Sequence, residues 1–186
     1  MSSSVPSNEG RARHANLRRR IRDLVILAML GALMFATKFL MQLLPNIHLL
    51  ALFIGVATVV YGWRALFSIY IYVFLDGLIY GFSLWWYPYL YIFLPLFLGF
   101  LLIPRRLPRR VRAVLYPIVA ALHGFLFGIL YAPAQAIFFG LDTWEKVIAW
   151  IAAGATFDTI HGISNAVFAT LILPMSELMV RLLKRM

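Results

Sequence analysis

The 186-residue chain has no cysteine and only seven acidic residues, and charged side chains of both signs make up just 13% of it. The first absence excludes disulfides, thiolate metal sites and a cysteine nucleophile. The shortage of charge excludes an ordinary soluble domain, where about a quarter of residues are charged. Disorder is excluded by the opposite excess, because 63% of the residues are hydrophobic and 16% aromatic. Catalytic signatures are missing too. No Gly-rich Walker loop is present to cradle a nucleotide phosphate. Gly162-Ile163-Ser164 is not a nucleophile elbow, since position 166 is Ala166 where Gly-x-Ser-x-Gly requires glycine. The apolar runs also lack period-two alternation, which argues against a membrane β-barrel.

What the chain does have is long apolar runs. A bilayer core about 30 Å thick needs roughly 20 apolar residues in helix. Six segments approach that length: 24–44, 47–63, 65–81, 88–104, 113–138 and 153–174, the last with an amphipathic extension to Met186. The second is the shortest. Leu141–Trp150 reads as a short interfacial helix, with Asp142 as its cap and Trp144 and Trp150 at a headgroup boundary. Pro117, Pro133 and Pro174 are expected to kink or end helices. The polar, Ser- and Arg-rich residues 1–16 read as a disordered cytoplasmic tail, and 17–186 as a single six-helix membrane domain. A secretory signal fits poorly, because the first apolar stretch is long enough to span and lacks a small-residue cleavage site.

The position of the charge tests this reading. The net charge of +10 would suit nucleic acid if it lay on a soluble face. With the N-terminus in the cytoplasm, however, fifteen of the seventeen Lys and Arg residues fall on inner segments, leaving only Lys38 and Lys146. That is a positive-inside pattern. The expected fold is therefore an all-α integral membrane protein with six transmembrane helices and both termini cytoplasmic. Its partner is the lipid bilayer, and no nucleic acid is expected.

Ionisable groups inside a span cost about 2.5–3.5 kcal/mol on insertion scales, so each one points to a role. Lys38, Asp76, Asp158 and His161 all fall in the outer half of their segments. Gln135 lies near an outer end, and Asn46 and His48 lie in the first outer connection. Only His123 is nearer the inner half. Asp158, His161 and Asn165 share a helix face at i, i+3 and i+7. Ion pairing of Lys38 with Asp76 or Asp158, and hydrogen bonding between helices, would account for these residues structurally. Their convergence at one depth favours a binding cavity. Trp85, Trp86 and Tyr89, in an aromatic-rich outer loop, suit either an interfacial belt or stacking on a flat heterocycle. Ala28, Ala32 and Ala36 recur every four residues, a spacing that lets another helix approach closely, within the chain or on a partner. A proton-transfer role for Asp158 and His161, or a metal shared with His48, is the weaker alternative; no metal or cofactor is expected.

Four stretches resemble the substrate-binding S component of an energy-coupling factor (ECF) transporter. They are the alanine-spaced residues 28–36, Leu-Pro-Asn-Ile-His at 44–48, Asp76 through Trp86, and Phe-Asp-Thr-Ile-His-Gly-Ile-Ser-Asn-Ala at 157–166. The last is similar to a Pro-x-Asp-x-x-His-x-x-x-Asn pattern in the family's final helix, with Thr156 in the proline's place. The resemblance implies six helices and a vitamin-like ligand near the outer face of a prokaryotic plasma membrane. It implies a transmembrane coupling subunit docked on Ala28, Ala32 and Ala36, and two ATPase subunits. Substrate-binding residues would be Lys38, Asn46, His48, Asp76, Trp85, Trp86, Tyr89, Gln135, Asp158, His161 and Asn165, with no catalytic residue. The competing reading is a non-transport membrane scaffold of the cell-envelope machinery.

Overall fold

The computed structural model describes residues 8–185. Among them are eight helices and no strand: α1 (Asn8–Leu40), α2 (Leu50–Tyr61), α3 (Ala65–Tyr80), α4 (Tyr89–Leu101), α5 (Arg109–Phe125), α6 (Phe127–Phe139), α7 (Trp144–Ala169) and α8 (Ile172–Arg185). Four continuous stretches are long and apolar enough to cross a membrane: Ala12–Leu40, Leu50–Tyr80, Arg109–Phe139 and Trp144–Ala169. Tyr89–Leu101 is a shorter apolar helix. Large apolar side chains such as Met29, Leu33, Phe74, Leu122 and Val167 are exposed on the outer faces of the bundle. Such surfaces are compatible with a membrane protein and foreign to a soluble monomer.

The stretch Leu50–Tyr80 is bent. A 3-10 turn at Gly62–Arg64 separates α2 from α3, and Gly62 takes φ 61°, a conformation that glycine adopts without a steric penalty. Leu50 at the start of α2 and Tyr80 at the end of α3 line the same hollow, so the two helices form a hairpin. At about 18 Å, α2 is short for a bilayer crossing. It lies at the centre of the bundle, against α1, α3, α4, α5, α7 and α8, with Leu50–Thr58 buried. Protein neighbours surround it there, which removes the need for a full apolar span facing lipid.

Several boundaries differ from the sequence expectation. Helix α1 already includes residues 8–16, read above as tail; Glu9 lies in its first turn, where a carboxylate complements the helix dipole. Residues 1–7 of the expected tail lie outside the described residues. The separate interfacial helix at 141–150 is absent: α7 runs unbroken from Trp144 to Ala169, since Gly154 alone weakens a helix without ending it. Its N-cap is Thr143, whose hydroxyl accepts from the Lys146 backbone N–H, whereas Asp142 pairs with the Lys146 ammonium. Pro117 and Pro133 lie inside α5 and α6, and Pro174 sits in the first turn of α8, where a missing N–H costs little. The 113–138 segment is divided at Leu126, yet helical hydrogen bonds from Leu126 to Leu122 and from Leu130 to Leu126 continue through the bend.

Two ends result. At one, Arg22 and Arg64 donate to the buried Asp23 at 3.2 and 2.8 Å, Arg105 donates to Val59 O at 2.6 Å, and Arg109 pairs with Glu177 of α8 at 2.9 Å. The hydrogen bond from Arg109 holds the Glu177 carboxyl below its usual range. At the other end, about 22 Å further along α1 at 1.5 Å per residue, lie Lys38 and the hollow.

Candidate functional site

Lys38 ends α1 as a cation in the last turn, where it complements the helix dipole. Its ammonium donates to both carboxylate oxygens of Asp76 on α3, at 2.7 and 2.8 Å. Asp76 is completely buried, while the Lys38 side chain keeps 24% of its surface and faces a cavity. Four rings surround the ammonium: Tyr89 at 5.0 Å, Tyr80 at 5.6 Å, Tyr72 at 5.7 Å and Trp85 at 6.0 Å from their centroids. Their π-faces add cation–π attraction to the ion pair.

The cavity encloses about 530 Å³, within the range of small-molecule sites, roughly 300–1,000 Å³. One wall is an edge-to-face series of rings, with centroids 6.4 Å apart for Tyr80–Trp85, 5.7 Å for Trp85–Tyr89 and 5.5 Å for Tyr89–Phe93. The opposite wall holds His48 and His161, 4.7 Å apart, with Phe127 at 4.8 Å from His161. The Nδ1 atoms of both histidines are buried without a hydrogen-bond partner among the described residues. Unpaired buried polar atoms are costly, and they concentrate at sites that serve something other than packing. The rim is the α1–α2 loop. There Asn46 takes φ 58°, a left-handed conformation that asparagine tolerates better than most residues, and its carbonyl accepts from Ser164 Oγ at 3.2 Å.

The structure thus brings Lys38, Asn46, His48, Trp85, Tyr89 and His161 around one hollow, with Asp76 directly behind Lys38. Four other predicted residues do not line it. Trp86 donates its indole N–H to Val73 O at 2.8 Å and so fastens the α3–α4 loop to α3. Gln135 is half-buried on α6. Asn165 is fully buried one turn beyond His161 and donates to Ala120 O at 3.3 Å. Asp158 accepts the backbone N–H of Gly128 at 3.0 Å, and thereby caps the start of α6 where the bend frees that donor. The i, i+3, i+7 face therefore serves two purposes, because helix crossing leaves His161 alone at the cavity. His123 donates from Nε2 to Ile92 O at 2.8 Å, beneath the aromatic wall. Ala32 and Ala36 lie exposed on the outer side of α1, and Ala28 is half-buried. No three His, Asp or Glu side chains among the described residues are placed to hold a metal ion.

Sequence reasoning missed Gln42, Tyr80, Phe93 and Phe127. Tyr80 was within reach, being one helical turn after Asp76 on the same face. The other three depend on loop path and helix bend. From the Gly128 contact, Asp158→Ala is expected to lower unfolding free energy by about 1 kcal/mol, the usual cost of a lost helix N-cap, and to leave ligand affinity unchanged. Parallel denaturation and calorimetric titrations check both parts; a large loss of affinity would return Asp158 to the binding set. No protein-family model, curated protein or solved structure matches the chain.

Proposed function

We propose that this chain is the substrate-specific S component of an ECF-type transporter. It binds a vitamin-like small molecule in the hollow formed by α1, the α1–α2 loop, α3, α4, α6 and α7. It crosses a prokaryotic plasma membrane six times with both termini cytoplasmic, so that the arginine-rich end lies inside and the hollow opens outside. Uptake is driven by two ATPase subunits through a transmembrane coupling subunit docked on Ala28, Ala32 and Ala36. The observation that carries this reading is the hollow itself: a lysine–aspartate pair, two imidazoles and two amides set among edge-to-face rings, at the end away from the arginines. Flat apolar walls with a few convergent polar groups suit a heterocycle that both donates and accepts hydrogen bonds.

Mass spectrometry of small molecules retained by the purified protein, followed by calorimetry with a vitamin panel, tests the proposal. One compound is expected to bind, to add about 2.7 kcal/mol of unfolding free energy at one hundred times its Kd, and so to raise the melting midpoint. Trp85→Ala and His161→Ala are expected to weaken it at least tenfold. If no retained compound and no stabilising vitamin is found, the scaffold reading takes its place. For the partner surface, Ala32→Trp is expected to abolish ATP-driven uptake in cells carrying the coupling and ATPase subunits while ligand binding persists; unimpaired uptake would exclude docking on this face.

A further inference from the structure

At the arginine-rich end, a second cavity of about 870 Å³ opens between α1, the α2–α3 turn and α8. Five cations line it, Arg18, Arg19, Arg22, Arg64 and Lys184, against a single carboxylate, Asp23. Asp23 is already saturated by Arg22 and Arg64, and Arg22 also reaches Leu183 O at 3.3 Å. Arg18, Arg19 and Lys184 make no ion pair among the described residues. A concave, uncompensated cluster of this kind focuses positive potential into the recess. Its guanidinium groups match phosphate oxygens in both charge and donor geometry.

Arg64 also lines an adjoining groove of about 410 Å³ along α1 and α3. The groove's remaining walls are apolar or aromatic, among them Leu24, Leu27, Leu66, Phe67 and Tyr70. A cationic recess that shares one arginine with an apolar groove on the outer face of the bundle fits an amphiphile. Free phosphate would fill only the recess, whereas a phospholipid carries both an anionic headgroup for the cations and an acyl chain for the groove.

We propose that this composite site binds an anionic phospholipid. The phosphate group lies among Arg18, Arg19 and Lys184, while Arg22 and Arg64 hold the wall through Asp23, and an acyl chain follows the groove between α1 and α3. Bound there, the lipid bridges α1, the α2–α3 turn and α8. The site is independent of the hollow at the opposite end and does not rest on the transport reading.

The test uses the full chain in mixed micelles containing equal amounts of phosphatidylglycerol and phosphatidylcholine, with retained lipid counted by native mass spectrometry. Wild type is expected to retain phosphatidylglycerol in clear excess. Arg18→Gln/Arg19→Gln is expected to lower its affinity about 30-fold, at roughly 1 kcal/mol per cation, with an unchanged melting midpoint in lipid-free detergent, because neither side chain belongs to the Asp23 network. Should that variant fold poorly, Lys184→Gln carries the same test with about a fivefold loss. Equal retention of the two lipids, or undiminished retention by a folded variant, overturns the site. Displacement of the lipid by millimolar inorganic phosphate overturns the lipid assignment in favour of a free-phosphate site.

Discussion

Lys38→Met is expected to lower the unfolding free energy by about 3–5 kcal/mol, the loss typical of breaking a buried ion pair from one side. The partner left behind is Asp76, a carboxylate with no surface of its own and, among the described residues, no hydrogen-bond donor other than Lys38. The converse change, Asp76→Asn, is expected to be milder. Lys38 keeps access to the cavity and remains among four aromatic rings, which offset part of the lost pairing. The double variant Lys38→Met/Asp76→Leu is expected to recover most of the stability, since a well-packed apolar pair substitutes readily for a buried salt bridge. It is not expected to recover ligand binding. A double-mutant cycle in detergent, with ligand titration of each member, measures both quantities. If the double variant bound ligand like wild type, the pair would be helix glue and the cavity's recognition would lie with the histidines and rings alone.

The second large effect belongs to Gly124. Helices α5 and α7 share the most extensive interface in the bundle, and it closes on two glycines. A Cβ on Gly124 would stand 2.6 Å from the backbone of Gly162, which cannot yield without separating the helices. A Cβ on Gly162 would instead meet the ring of Phe125 at 2.4 Å, and that ring is 44% exposed and free to swing outward. Gly124→Ala is thus expected to cost about 3 kcal/mol, at the upper end of overpacking effects, and Gly162→Ala distinctly less, despite the shorter contact. Gly124 also adjoins His123 and faces the helix that carries His161, so its substitution is expected to weaken ligand binding as well. Thermal midpoints of the two variants, compared side by side, test the order; equal losses would show that the interface relaxes freely.

The apolar runs, the helical class and the gathering of arginines at segment ends were legible in the linear chain. They depend on composition and on local hydrophobicity, which add up residue by residue along the sequence. The polar residues Lys38 and His161 were legible for a related reason: polar groups in apolar segments are expensive wherever they point, while Asn46, His48 and the aromatic loop stood out by lying in outer connections at the same depth. Which role was not legible. Asp158 is as conspicuous as Asp76 in the sequence, yet one caps α6 through Gly128 and the other holds Lys38. Trp86 is indistinguishable from Trp85 by composition, but it spends its N–H on Val73 and lies outside the hollow.

The sequence by itself determined that these helices are apolar and that one end of the bundle is basic, because both follow from the solvent preference of each residue alone. Only the tertiary structure decided which side chains share a cavity. In helices apolar all round, the hydrophobic pattern specifies neither the rotation of each helix about its axis nor its crossing angle. Those are set by close contacts between specific residues, such as Gly124 on Gly162 and the bends at Gly62 and Leu126, and they aim His161 into the hollow while turning Asp158 three residues earlier towards a neighbour's backbone.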